Sequence, residues 1–304
     1  MKKLTAALDQ LSGQNKFAFY LAFARVFLAF HLLKRLFFDW ESLSILFSDQ
    51  TFVVRNQSIF EIFGVNLGLV SYYFYPFFLF FVFVLCLLLF GIGKNFTVLL
   101  TYVCVKIYQE LTGITLNGGD NLLIFIMLYM LFADSFQYFS LNKSKSSSGS
   151  VSNLFSNLAA FSIMLHLCLA YAVSAFHKIH ADVWFNGTAL YYILHLERFQ
   201  GPINHWFYNN GFFITVGTYF TILFELLFPL FIWFRKFKPI LFITGFFLHI
   251  GIYITMMIFD FEILFLSLYG FFIKNETWLA WYSHARMWFS RVFPGKIIDI
   301  ETAK

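Results

Sequence analysis

Charge is what this chain has least of: only 12% of its residues are Asp, Glu, Lys or Arg, while 60% are hydrophobic and Phe alone supplies 47 of 304. A water-soluble domain needs about twice that charged fraction, so a soluble fold is excluded at the outset. Proline occurs five times and cysteine three times. Cys86, Cys104 and Cys168 each sit in a different apolar run with no CxxC spacing. They are expected as small packing residues, not as a disulfide framework or a metal site. Acidic residues are fewer than basic ones, for a net charge of +5. The basic residues fall in short hydrophilic connections, which excludes nucleic acid as a partner and points to the loops of a membrane protein.

What the chain has instead is runs of about 20 apolar residues, the length that crosses a bilayer as a helix. Eight spans are expected, at about 17–38, 69–92, 96–116, 120–141, 154–176, 211–234, 238–259 and 260–274. No alternating pattern suggests a β-barrel, and backbone polar groups in hydrocarbon must be satisfied within the segment. The predicted fold class is therefore all-α, a polytopic helical bundle covering 1–273, with an amphipathic interfacial tail at 274–304. A Ser-rich stretch, Asn142 to Asn153, divides four spans from four and reads as a cytoplasmic linker. Lys2, Lys3 and Lys16 precede an apolar run without a clear cleavage site, as in an uncleaved signal anchor. With the N-terminus inside, fourteen of the 21 basic residues fall in inner segments. Both termini are thus expected on the cytoplasmic side of a bacterial inner membrane.

Two further stretches are expected outside the spans. Asp39 to Phe63, with Trp40, Phe47, Phe52 and Phe60, should lie along the outer surface, and Trp184 to Phe199 should form a short helix with an aromatic face. The tail residues Trp278, Trp281, Tyr282, Trp288 and Phe289, among Arg286, Arg291 and Lys296, have the composition of an anchor on an anionic leaflet.

Ionisable groups inside apolar spans are costly, so each is a candidate site. Lys106 and Glu110, four apart, are expected as a structural pair, with Asp120 just beyond the Asn117-Gly118-Gly119-Asp120 turn. Glu225 precedes Pro229 by four residues, and its carboxylate is expected near a carbonyl freed by the proline. His166 and His249, mid-span, are expected to hydrogen-bond neighbouring helices. Lys178 ends a long apolar run between Phe176, Ile179 and Trp184, where desolvation favours a neutral amine able to act as base, against the alternative of a lysine that snorkels to the headgroups. His177 and His180, with His195 and His205 further on, are spaced too loosely to assign a metal.

Several of these residues together resemble the HTTM family, the bacterial relatives of the membrane domain of the vitamin K-dependent gamma-carboxylase. The resemblance is carried by Asn117 to Asp120, by Tyr171 to Lys178 (YAVSAFHK), by Trp184 to Ala189 (WFNGTA), by Glu225 to Pro229 (ELLFP) and by His249. It implies an enzyme whose catalytic Lys178 acts as base on a quinol or peptide substrate, with Asp120, His177, His180, Trp184, Glu225 and His249 as further site residues. It implies a quinone or hydroquinone as cofactor and a site facing away from the cytoplasm. The chain lacks the large extramembrane region with which the carboxylase holds protein substrates. It is also similar to short members such as the sporulation-delaying protein B family, which implies the alternative of a non-catalytic component of toxin-peptide maturation or export. Its partners would then be the lipid bilayer and a secreted peptide or co-encoded soluble protein.

Overall fold

A computed structural model describes residues 9–42, 45, 47, 64, 66–113, 116–145, 150–199 and 201–292. Among them the fold is all helical, without a strand. The helices are α1 (Ala18–Asp39), α2 (Leu67–Tyr72), α3 (Phe74–Phe90), α4 (Lys94–Thr112), α5 (Gly118–Met130), α6 (Val151–Ile179), α7 (Asp182–Phe185), α8 (Ala189–His195), α9 (Gly211–Phe231), α10 (Lys238–Met256), α11 (Phe259–Leu268) and α12 (Asn275–Val292), with short 3-10 turns between them.

Each expected span includes a helix, and among the described residues three helices are long and apolar enough, by length and composition, to cross a membrane: α6, α9 and α10. The others fall short for separate reasons. Helix α1 has the length but carries Arg25, Lys34, Arg35 and Asp39, and α4 carries Lys94, Lys106 and Glu110. Helices α3 and α5 are apolar but have 17 and 13 residues. At 1.5 Å per residue, α5 reaches only about 20 Å. Helix α11 has 10 residues and passes directly into the turn Tyr269–Phe272.

The expected span at 120–141 is corrected by Arg25. Its helix stops at Met130, and the backbone beyond turns back on itself as an irregular loop. The fully buried Arg25 guanidinium donates to the carbonyls of Ser135 (3.1 Å), Tyr138 (3.3 Å) and Phe139 (2.5 Å), and through Nη1 to Leu88 and Leu89 at the end of α3. Its five donors thus meet five carbonyls, which is what irregular backbone and a helix end need when no water is at hand.

Packing elsewhere follows the apolar stripes. Helix α6 runs through the centre, against α9 on one side and α5 on the other. Cys104 and Cys168 are buried and Cys86 half-buried, all three free, as expected of packing residues. Lys106 and Glu110 form their pair at 3.6 Å, and His166 bonds the Tyr129 hydroxyl of α5 at 3.0 Å. Phe47 is not on the outer surface as expected; it is fully buried against Phe78 (centroids 4.9 Å) and Tyr108, because a ring of that size gains more from the core than from an interface. Trp40 is exposed, and Phe52 and Phe60 lie outside the described residues.

Helix α12 leaves Trp281, Trp288 and Phe289 exposed, and it is tied down by Trp278, which stacks on Tyr20 of α1 and donates to the Gly270 carbonyl at 3.0 Å. Tyr20 also lies over Gly270: a Cβ there would stand 1.9 Å from its ring. Gly270→Ala should therefore lower stability by about 1–3 kcal/mol through overpacking, read as a lower midpoint in detergent melting; an unchanged midpoint would mean that Tyr20 moves aside freely.

Candidate functional site

The long central helix ends at its most polar point. Helix α6 starts with Ser150, whose side chain accepts from Asn153 N, and runs 29 residues to Ile179. Lys178 lies in its last turn, where a cation is favoured by the helix dipole and the exposed carbonyls. One turn back, the Ser174 hydroxyl accepts from Lys178 Nζ at 2.9 Å. Across from them, Glu225 of α9 accepts from the same nitrogen through Oε1. The lysine side chain is 18% exposed and the glutamate 10%, so this is an ion pair at a mostly dry rim and not a snorkelling lysine. Contrary to the expectation from Pro229, α9 runs through the proline and the Glu225 carboxylate goes to Lys178, since a cation is a stronger partner than a freed carbonyl.

The Trp184 to Ala189 block packs beside this pair. The chain turns after α6 by Ala181 N donating to the Lys178 carbonyl (3.1 Å), and short α7 brings the Trp184 ring to 4.9 Å from Lys178 Nζ, a cation–π contact. Gly187 has a left-handed φ of +73°, and a Cβ there would meet the Tyr219 ring of α9 at 2.9 Å. Only glycine satisfies both conditions. The block is locked by Tyr219 donating to the Phe185 carbonyl at 2.8 Å and by Leu190 N donating to Thr218 at 3.2 Å.

A second buried pair lies within Coulombic range of the first. His249 of α10 bonds Glu262 of α11 through Nδ1, and its Nε2 is 2.6 Å from the Tyr171 hydroxyl of α6. Tyr171 in turn is 2.8 Å from the Tyr269 hydroxyl. A carboxylate at Glu262 sets the direction of this chain: Nδ1–H donates to it, Nε2 accepts from Tyr171, and Tyr171 accepts from Tyr269. Tyr171, Ser174 and Lys178 follow at i, i+3 and i+7 on one face of α6, so one stripe serves both pairs. In each pair one carboxylate oxygen, Glu225 Oε2 and Glu262 Oε1, is buried without a hydrogen-bond partner.

No protein-family model matches this chain, and neither a curated protein nor a solved structure matches it. The site therefore stands on its own geometry.

Of the residues singled out by sequence, Lys178, Trp184 and Glu225 converge, and His249 lies in the adjoining pair. Asp120 lies elsewhere: it is buried against Arg35 of α1, caps the start of α5 through Asn117 N (2.8 Å), and belongs to a separate polar cluster in which Tyr108 links Arg35 to Asp39. His177 and His180 are exposed at the end of α6, with His180 Nδ1 donating to the Phe176 carbonyl at 2.7 Å. His195 stacks on Tyr208, and His205 meets Trp206 edge to face. Among the described residues, no three His, Cys, Asp or Glu side chains gather as metal ligands. Sequence reasoning missed Glu262, Tyr171 and Tyr269. The rule that flagged the other buried acids applies equally to Glu262, which opens α11 beside Asp260.

Proposed function

We propose that the chain is a membrane-embedded enzyme of the carboxylase-related HTTM type, with Lys178 as its base and both termini in the cytoplasm of a bacterial cell. The observation that carries this reading is the Lys178 nitrogen held among Glu225, Ser174 and the Trp184 ring at a mostly dry rim. In such surroundings an ion pair and the neutral amine–acid pair compete, because solvation no longer favours separate charges. Passing a proton along the existing hydrogen bond breaks an N–H bond on Nζ and forms an O–H bond on Glu225 Oε1. The lone pair left on Nζ then takes a proton from the substrate, which departs as the conjugate base while the ammonium re-forms. Trp184 stabilises that ammonium.

The charge distribution supports an outward-facing site, since the inner loops hold most of the basic residues and Lys178 lies at the opposite end of α6. The hydroquinone implied by the resemblance is one acid of suitable kind, and a peptide carboxylate side chain is another substrate class. Glu225 Oε2 offers the hydroxyl of the first a hydrogen-bond acceptor.

Lys178→Arg separates a base from a charge. Arginine keeps the cation and the pair with Glu225 but does not give up its proton. In cells lacking the native copy, Lys178→Arg and Lys178→Ala should both reduce function by roughly a hundredfold or more at unchanged protein level. Full function in Lys178→Arg would remove the base assignment. Loss confined to substitutions at exposed Tyr191, Tyr192 and Trp206 would favour the alternative, a non-catalytic holder of a secreted peptide.

A further inference from the structure

An apolar cavity of about 300 Å³ opens between α8, α9, α10 and the turn at 203–207, lined by Leu194, Phe207, Phe220, Leu248 and Ile252 among others. Its two threonines do not make it polar. Thr221 donates to the Gly217 carbonyl at 2.9 Å and Thr255 to the Gly251 carbonyl at 2.8 Å, each within its own helix. Gly251 keeps the wall open, because a Cβ there would meet nothing within 4 Å. Water gains no partners in such a space, and a hydrocarbon chain fits it by transfer alone.

The ion pair lies one helical turn beyond the cavity along α9. Gly217, Thr221 and Glu225 follow at i, i+4 and i+8, one stripe of α9, so Glu225 stands about 6 Å along the axis from the cavity wall at Thr221. Leu248 on the opposite wall immediately precedes His249. At the end of that stripe Glu225 Oε2 is buried without a hydrogen-bond partner, an acceptor left to find a donor.

We infer that this cavity binds the hydrocarbon chain of an amphiphile that enters sideways from the lipid, and that Glu225 Oε2 accepts a hydrogen bond from its head group. The ligand class is thus one apolar chain carrying a hydroxyl or amide donor. This substrate class rests on the base reading only for what happens to the head; the binding itself does not require it.

The test uses the full-length purified protein in nanodiscs and three photoreactive probes with the same diazirine at the chain end: dodecanol, its methyl ether and a phosphatidylcholine. Dodecanol should cross-link to peptides of α9 and α10. The ether, which cannot donate, should label roughly tenfold less. Gly251→Leu fills the open wall and should reduce dodecanol labelling by roughly tenfold. Ile252→Trp does the same from the next position, should Gly251→Leu fail to fold. Equal labelling by the ether would remove the head contact and overturn the proposal. So would equal labelling by phosphatidylcholine, which would make the occupant bulk lipid. Full labelling in folded variants with the cavity filled would overturn it as well. Full function in Lys178→Arg with intact dodecanol labelling would instead remove the base and leave this site standing.

Discussion

Arg25→Ala should lower the stability of the bundle by about 4 kcal/mol or more, the largest effect expected of any single substitution here. The reason is the number of groups orphaned at once. Five carbonyls, two at the end of α3 and three in the loop after α5, lose the guanidinium, and of them Leu88 keeps a second donor in Gly91 N at 3.1 Å. Each unsatisfied buried acceptor costs about 1–3 kcal/mol, reduced by whatever relaxation lets in water. Arg25→Lys keeps the charge but offers three donors without the planar fork, and should recover less than half of the loss. Detergent melting followed by circular dichroism gives the ranking, and limited proteolysis should show new cleavage at 131–145 in both variants. Melting of Arg25→Ala alongside the unaltered protein would mean that these carbonyls find other donors.

The second large effect separates folding from chemistry at the ion pair. Lys178→Met leaves Glu225 as a buried carboxylate without its cation and should cost about 3–5 kcal/mol. Adding Glu225→Gln removes the orphaned charge. The double variant should melt close to the unaltered protein, because a buried ion pair is seldom worth more than a well-packed neutral one. Function should be absent from both variants, since neither has an amine. Recovery of stability without recovery of function is the expected signature in a double-mutant cycle. A single Lys178→Met variant that melts normally would mean that water reaches Glu225 freely.

The all-helical architecture was legible because apolar runs are long and loops short, and the period of burial follows from them. Where the runs misled, the cause was a contact between distant residues. Past Met130 the Asp134 carboxylate turns the chain by accepting from Phe136 N at 3.1 Å, and Arg25, over 100 positions earlier in the chain, holds the carbonyls that follow. At the site, Lys178 and Trp184 were readable together because they are six positions apart and a glycine marks the turn. Their pairing with Glu225 was not, since proline suggested a local partner for a carboxylate whose actual partner comes from another helix. Glu262 went unnoticed for a similar reason. It sits in the first turn of α11, where an acid is ordinary, and only the packing of α10 on α11 shows that it faces His249.

The unequal helix lengths have a consequence for the surrounding lipid. Helix α6, with 29 residues, extends about 44 Å, whereas α5 beside it extends about 20 Å. A uniform hydrocarbon slab of about 30 Å cannot match both. Acyl chains next to α5 must shorten or splay while those along α6 stay extended, at a fraction of a kcal/mol for each ångström of mismatch. Were both helices to meet lipid, the bilayer would thin from α6 to α5, and bilayers of short-chain lipid should suit one flank at the expense of the other.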